Sequence, residues 1–278
     1  MPADRIAGNL AFINWTVLTS LAVGAFAAVA LARARTDATR GFLGFTAACA
    51  VAFGLLALAS DAALPGALDS SPVHTDPAWD VPRRIALAAF CGFAAAYVVV
   101  IARRRRGLPI AVAGLVAAAL VLVFGALGWG GRILDAAPLL VQLAVLSAAT
   151  GGVFAAMILG HWYLVTPRLS ETPLILLSRL LTAVIGLQLA LFVVWVGLGA
   201  GPGGASAFGV LVGPWALFVW LRLIVGLVFP LIVSWAATQT ARSRSMESAT
   251  GLLYINVGSI AAGTILAAGL YFGGGLLV

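Results

Sequence analysis

The chain has 278 residues, of which 63% are hydrophobic and 9% charged, with 32 glycines. A soluble domain carries roughly 25% charge, so these values exclude a soluble globular protein, a disordered chain and a disulfide scaffold. All 16 basic residues are arginine and the formal net charge is +7; basic patches can mark nucleic-acid binding, but cytoplasmic loops of membrane proteins also collect arginine, and the arginine positions favour the second reading.

Eight apolar runs follow one another at about 10–32, 42–63, 84–102, 108–129, 138–164, 173–199, 209–237 and 249–272. Most reach the roughly 20 residues that one membrane crossing needs. Lipid offers the backbone no partners, which leaves helices or a closed barrel. The runs are continuous, whereas barrel strands alternate apolar and polar residues. The expected fold is therefore an all-α integral membrane protein, a single transmembrane domain over 1–278 built as a bundle of about eight helices.

The first run ends on Ala30-Leu31-Ala32, a small-x-small sequence that could close a signal peptide. A signal peptide has a positive start and a short apolar core. Here Met1–Asn9 is nearly neutral, the run exceeds twenty residues and Arg33, Arg35 and Arg40 follow it, which suits an uncleaved spanning helix. The second run leads into an extracytoplasmic loop at 64–83 with Pro65, Pro72, Pro77, Pro82, His74, Asp69, Asp76 and Asp80. Histidine and carboxylates can hold metal, but this spacing matches no ligand pattern, and no metal is expected. Cys49 and Cys91 lie inside apolar runs, where cysteine behaves as a small hydrophobe.

Arginine placement orients the chain. Arg33, Arg35, Arg40, Arg103, Arg104, Arg105, Arg106, Arg168, Arg242 and Arg244 fall on one side if the helices alternate, and Arg5, Arg83, Arg84 and Arg132 on the other. The richer side reads as cytoplasmic, with both termini outside and the chain in a cytoplasmic (inner) membrane. Most acids, Asp4, Asp61, Asp69, Asp76, Asp80 and Asp135, fall on the outer side. Trp15, Trp129, Trp195 and Tyr271 fall near outer ends, and Trp162, Tyr163, Trp235 and Tyr254 near inner ends, as rings at headgroup level do.

No internal repeat is convincing: a four-plus-four division is possible by counting, but the halves differ in polar residues. The first four runs are nearly free of polar groups, while the last four hold His161, Arg179, Gln188, Arg222 and Asn256. At about 1.5 Å rise per residue, His161, Arg179, Tyr254 and Asn256 share a layer within about 10 Å of the inner face. With Trp162 and Tyr163 at its mouth, that layer reads as a pocket for a quinone head group or a small organic anion. Histidine and arginine at helix ends also serve as headgroup anchors, with Arg179 snorkelling or pairing with Glu171. Arg222 and Gln188 come out at one depth, about 22 Å from the inner face, which points to an inward-facing arginine bonded to Gln188, to backbone carbonyls or to a ligand. Pro230 predicts a kink near 226–230. Rows of small residues, Ala148, Gly152, Ala156 and Gly160 in the fifth run and Ser259 with Gly263 in the eighth, permit close helix approach.

Two histidines on opposite sides exclude a bis-histidine haem within one chain; a single-His haem, with Met157 as a second ligand, is a weaker option. Phosphate-loop, zinc-protease and serine-hydrolase motifs are absent, and no carboxylate stands deep in a run, so independent catalysis is not expected. The preferred reading is a multi-pass membrane subunit of a redox or respiratory assembly, working in the lipid bilayer with other membrane subunits and binding a quinone or lipid. The alternative is a transporter of a small organic anion, with Arg222 and Arg179 along its path.

Overall fold

A computed structural model describes residues 1–66, 71–105, 107–131, 133–166 and 169–278, the stretch 133–135 by its backbone only. Arg106, Arg132, Arg168, Asp69 and the side chain of Asp135, which enter the orientation argument, lie outside the described residues. Among the described residues there is no strand. The helices are α1 (Pro2–Gly8), α2 (Leu10–Arg35), α3 (Arg40–Ala62), α4 (Asp80–Ala102), α5 (Leu108–Trp129), α6 (Ile133–Val165), α7 (Thr172–Leu198), α8 (Ala216–Leu223), α9 (Phe229–Arg242) and α10 (Met246–Gly274). A π turn, Ile224–Val228, joins α8 to α9 in one continuous rod, and with that rod counted once eight helices are long and apolar enough to cross a membrane.

Local chemistry sets the ends. The Thr39 hydroxyl accepts from the Phe42 N–H at the start of α3, satisfying a donor that the first turn leaves free. Pro109 and Pro173 occupy the first turns of α5 and α7, where a missing N–H costs nothing. The seventh run, expected at 209–237, forms its rod at Ala216–Arg242 instead. Left-handed Gly213 (φ +86°) followed by Pro214 stops propagation, which hydropathy does not register. At the other end Thr238 and Thr240 return their hydroxyls to the carbonyls of Ser234 and Ala236, so the polar stretch continues the helix. The expected loop 64–83 is also shorter in practice: a 3-10 turn at Pro77–Trp79, capped by Asp76, runs into α4.

The helices alternate in direction, so the connections gather at two ends. At one end α1 lies against α10, and the closing residues are tied in by Leu277 N–H to Ala200 O (3.1 Å) and Gly203 N–H to Gly275 O (3.0 Å). This is the termini end. The opposite, arginine end carries Arg35, Arg40, Arg103, Arg104, Arg105, Arg242 and Arg244.

Packing divides the bundle in two. In the first half α2 packs on α3, α3 on α4, α4 on α5 and α5 back on α2. In the second, α6 packs on α7, α7 on α9, α9 on α10 and α10 back on α6. The halves meet chiefly where α2 crosses α6, with α10 against α2 and α5 against α6 flanking that crossing. A Cβ on Gly24 would stand 1.8 Å from the Ser147 carbonyl oxygen, and one on Gly151 2.1 Å from the Ala25 nitrogen. The two backbones touch there because neither residue has a side chain. The small-residue row expected on α6 is displaced by one position at this crossing, where Ala148 is exposed and a Cβ on Gly152 would meet nothing within 4 Å while Ser147 and Gly151 make the contact. Further along, the expected row does pack closely, with Ala156 buried and a Cβ on Gly160 only 2.7 Å from Thr250 Oγ1 of α10. Adjacent rows on α6 are both small, so composition could not choose between them. Gly263 does pack closely, against Gly226.

The aromatic belt expected at the termini end is also revised. Trp15, Trp129, Trp195 and Tyr271 are all buried. The Tyr271 hydroxyl donates to the Trp129 carbonyl (2.8 Å), and Trp15 and Trp129 meet edge to face with ring centroids 4.7 Å apart. Trp235 and Tyr254, expected at the other boundary, are exposed.

Candidate functional site

Arg222 stands on α8, only 3% exposed. It is six residues from Ala216, about 9 Å along the axis, so it lies nearer the termini end than the run boundaries implied. Its Nη2 donates to Gln188 Oε1 on α7 (2.7 Å) and its Nη1 to the Gly226 carbonyl (3.3 Å). Gln188 is itself fixed, since its Nε2 donates to the Val145 carbonyl of α6 (2.9 Å). The structure therefore brings together Arg222 and Gln188, the pair expected at one depth.

Pro230 explains the carbonyl. Proline has no N–H for the carbonyl four residues back, which is that of Gly226. Helices accommodate such a loss where side chains re-satisfy the freed groups. Here the chain widens into a π turn, Phe229 N–H reaches Ile224 O, Ser259 donates to Val225 O, and Arg222 takes Gly226 O. The expected kink region is thus a local change of helix type, and Arg222 is part of what closes it.

Two features of this cluster remain open. Arg222 Nε is buried and has no hydrogen-bond partner, and a buried donor left unmade costs about 1–3 kcal/mol. Among the described residues no carboxylate lies within ion-pairing distance of Arg222. Charges inside a membrane are costly and normally find partners, so a cation held by an amide and a carbonyl alone has its own charge uncompensated.

A second buried cluster was missed. Arg83 and Asp61, assigned to the outer loop and its margin, are 1% and 0% exposed. Arg83 Nε bonds Asp61 Oδ2 (2.6 Å) and its Nη2 bonds Asp61 Oδ1 (3.3 Å), while Nη2 also pairs with Asp80 (3.0 Å). Arg84 Nε reaches Asp61 Oδ1 at 2.7 Å. The Arg83 guanidinium sits 4.6 Å from the Trp129 ring centroid and 5.7 Å from that of Trp15. This corrects one expectation, since the first half does hold buried polar chemistry; Asp61, one residue from the end of α3, is buried at a helix end and not deep in a run. The available signal was the pairing of Asp61 with Arg83-Arg84 across one connection; hydropathy left Arg83 in the loop and put Asp61 and Arg84 only at the margins of their runs.

The layer near the arginine end is dispersed. His161 and Arg179 are exposed, and neither has a hydrogen-bond or ion-pair partner among the described residues. Tyr163 is buried, its hydroxyl donating to the Ser170 carbonyl. Asn256 is fully buried; its Nδ2 donates to Ser234 Oγ (2.7 Å) and its Oδ1 is unpartnered. Glu171 pairs not with Arg179 but with Arg244, at 2.7 Å, and the hydrogen bonds from Arg244 hold its carboxyl below its ordinary value. A cavity of about 380 Å³ opens here, lined by Tyr163, Leu164, Arg244, Ser245, Met246 and Glu247. Met157 is partly buried one turn from His161. Among the described residues no three His, Cys, Asp or Glu side chains come together as metal ligands.

Family models, curated proteins and solved structures were compared with the chain, and none matches it.

Proposed function

We propose that this is a multi-pass membrane protein that carries a small anion through its second half, with Arg222 as the residue that selects charge. The observation supporting this reading is the buried Arg222 guanidinium, set beside a π turn, anchored by Gln188 and Gly226 O, and without a carboxylate among the described residues. A fixed cation in low dielectric attracts an anion far more strongly than one in water. The exposed Arg179 at the arginine end supplies positive charge on the same helix as Gln188. The protein would sit in a cytoplasmic membrane with both termini outside.

The test is uptake of acetate, succinate, phosphate or chloride into liposomes containing the purified protein. Arg222→Gln is expected to abolish uptake, and Arg222→Lys, which keeps charge but loses the planar fork, to reduce it at least tenfold. Uptake unchanged in a folded Arg222→Gln protein would end this reading.

A second reading makes the chain a membrane subunit of a redox assembly that binds a quinone or lipid head group. The cavity lined by Tyr163 and Arg244, two residues along α6 from His161, favours it. Quinone or partner subunits retained through gentle purification, and lost with Tyr163→Ala, would support it.

A further inference from the structure

We infer that the two halves are copies of one four-helix unit, and that Arg222 binds a ligand carboxylate in the place that Asp61 occupies on Arg83. The inference rests on the anion reading and names the class of anion.

The duplication is visible in packing, register and turn geometry. Exchanging α2, α3, α4 and α5 with α6, α7, the α8–α9 rod and α10 maps the helix pairings onto one another: α2 on α6 maps to itself, and α2 on α10 maps to α6 on α5. At the central crossing the contacts are reciprocal. Ser147 Oγ bonds Ser20 Oγ (3.5 Å), and Gly24 and Gly151, each four residues further on, touch backbone to backbone. Both helices read Ser-x-Ala-x-Gly-x-x-x-Ala, at Ser20, Ala22, Gly24 and Ala28 and at Ser147, Ala149, Gly151 and Ala155.

The third helix of each half ends in the same turn. After α4 the N–H groups of Arg103, Arg104 and Arg105 reach the carbonyls of Val99, Ile101 and Val100; after α9 those of Ser243, Arg244 and Ser245 reach Gln239, Ala241 and Thr240. The second residue of each turn is a left-handed arginine, φ 60° at Arg104 and 59° at Arg244. Counting back from those turns, Arg83 stands 19 residues before Ala102 and Arg222 stands 20 before Arg242. A π turn holds one residue more than the α-helix it interrupts, and Ile224–Val228 is such a turn. With that residue discounted, the two arginines occupy one position.

Each arginine also reaches back to the second helix of its half, but the partners differ. Asp61 on α3 covers both the Nε and Nη2 edges of Arg83. Gln188, ten residues before the end of α7 where Asp61 stands one before the end of α3, gives Arg222 Nη2 an amide oxygen and leaves Nε bare. Arg83 keeps one bare nitrogen of its own, Nη1, but its Nε edge and its charge are covered. The first half thus displays the group that fits this edge: a planar, two-oxygen carboxylate bound in forked geometry. The ligand of the second half is a small carboxylate, not a spherical halide.

Gln188→Glu tests this by building the carboxylate into the protein. The variant is expected to melt in detergent no lower than the parent and to lose acetate and succinate uptake at least tenfold. Parent-level carboxylate uptake by a folded Gln188→Glu protein overturns the inference. Should the variant not fold, acetate at matched ionic strength against chloride is expected to raise the melting temperature of the unmodified protein but not of Arg222→Lys. Equal shifts in both overturn it. Uptake of chloride or phosphate without any carboxylate also overturns it while leaving the anion reading intact, whereas no anion uptake at all by the folded protein removes the anion reading itself.

Discussion

Arg83 and Arg222 are each more than nine-tenths buried, yet they are held by opposite means. Arg83 has its charge balanced by Asp61 and Asp80 and lies against two indole rings, with only Nη1 lacking a hydrogen-bond partner. Removing one partner of a buried pair typically costs about 3–5 kcal/mol, whereas replacing both with apolar groups is often nearly neutral. Asp61→Asn is therefore expected to lower stability by about that amount, read as detergent or thermal unfolding, and the double change Asp61→Leu with Arg83→Met to recover most of it. A small loss in the single variant would show that Asp80 alone suffices to hold Arg83. Arg222 was legible in the sequence because an arginine inside an apolar run stands out, and Gln188 because axial rise places it level. Arg83 was not legible: three residues into a helix that hydropathy begins later, it looked like loop charge, and only packing of Trp15 and Trp129 around it shows otherwise.

At the scale of elements, the eight helices long and apolar enough to span a membrane followed from apolar content alone, because lipid would leave the backbone few choices. Their ends and faces did not. Ends depended on a Gly213-Pro214 stop and on hydroxyls returned to carbonyls, both finer than a hydropathy window. Faces depended on which of two small rows on α6 turns toward α2. That choice gives a controlled pair of variants. Gly151→Ala places a methyl 2.1 Å from the Ala25 nitrogen and is expected to destabilise by about 1–3 kcal/mol through forced separation of α2 and α6. Gly152→Ala, with nothing within 4 Å, is expected to be neutral or slightly stabilising, since alanine outranks glycine in a helix. Equal melting temperatures for the two would contradict the crossing.

For the whole molecule, orientation and pH response are open to measurement. In a background of Cys49→Ala and Cys91→Ala, a cysteine at Ser243 is expected to react with a membrane-impermeant maleimide only after cells are permeabilised, if the arginine end is cytoplasmic. Labelling in intact cells would invert the topology. At that end Glu171 and Arg244 tie the connection between α6 and α7 to that between α9 and α10. The bond lowers the carboxyl of Glu171 below 4.5, so the pair contributes fully above that pH and its contribution disappears as pH falls through the lowered value. The effect is small because both side chains are solvated. Unfolding curves at about pH 6 and about pH 3 are expected to differ more for the parent than for Glu171→Gln; identical pH dependence would remove the pair from the account.

The left-handed turns at Arg104 and Arg244 have one more consequence, for how the chain reaches its membrane. A left-handed backbone costs a side-chain-bearing residue about 1 kcal/mol that glycine avoids. Both turns nevertheless hold arginine. Insertion reads the charge of short loops on a chain that has not yet packed, and a glycine there would carry no such signal. If the arginine end is cytoplasmic, these two positions accept a slight strain in the finished fold in return for charge that the nascent chain presents during insertion.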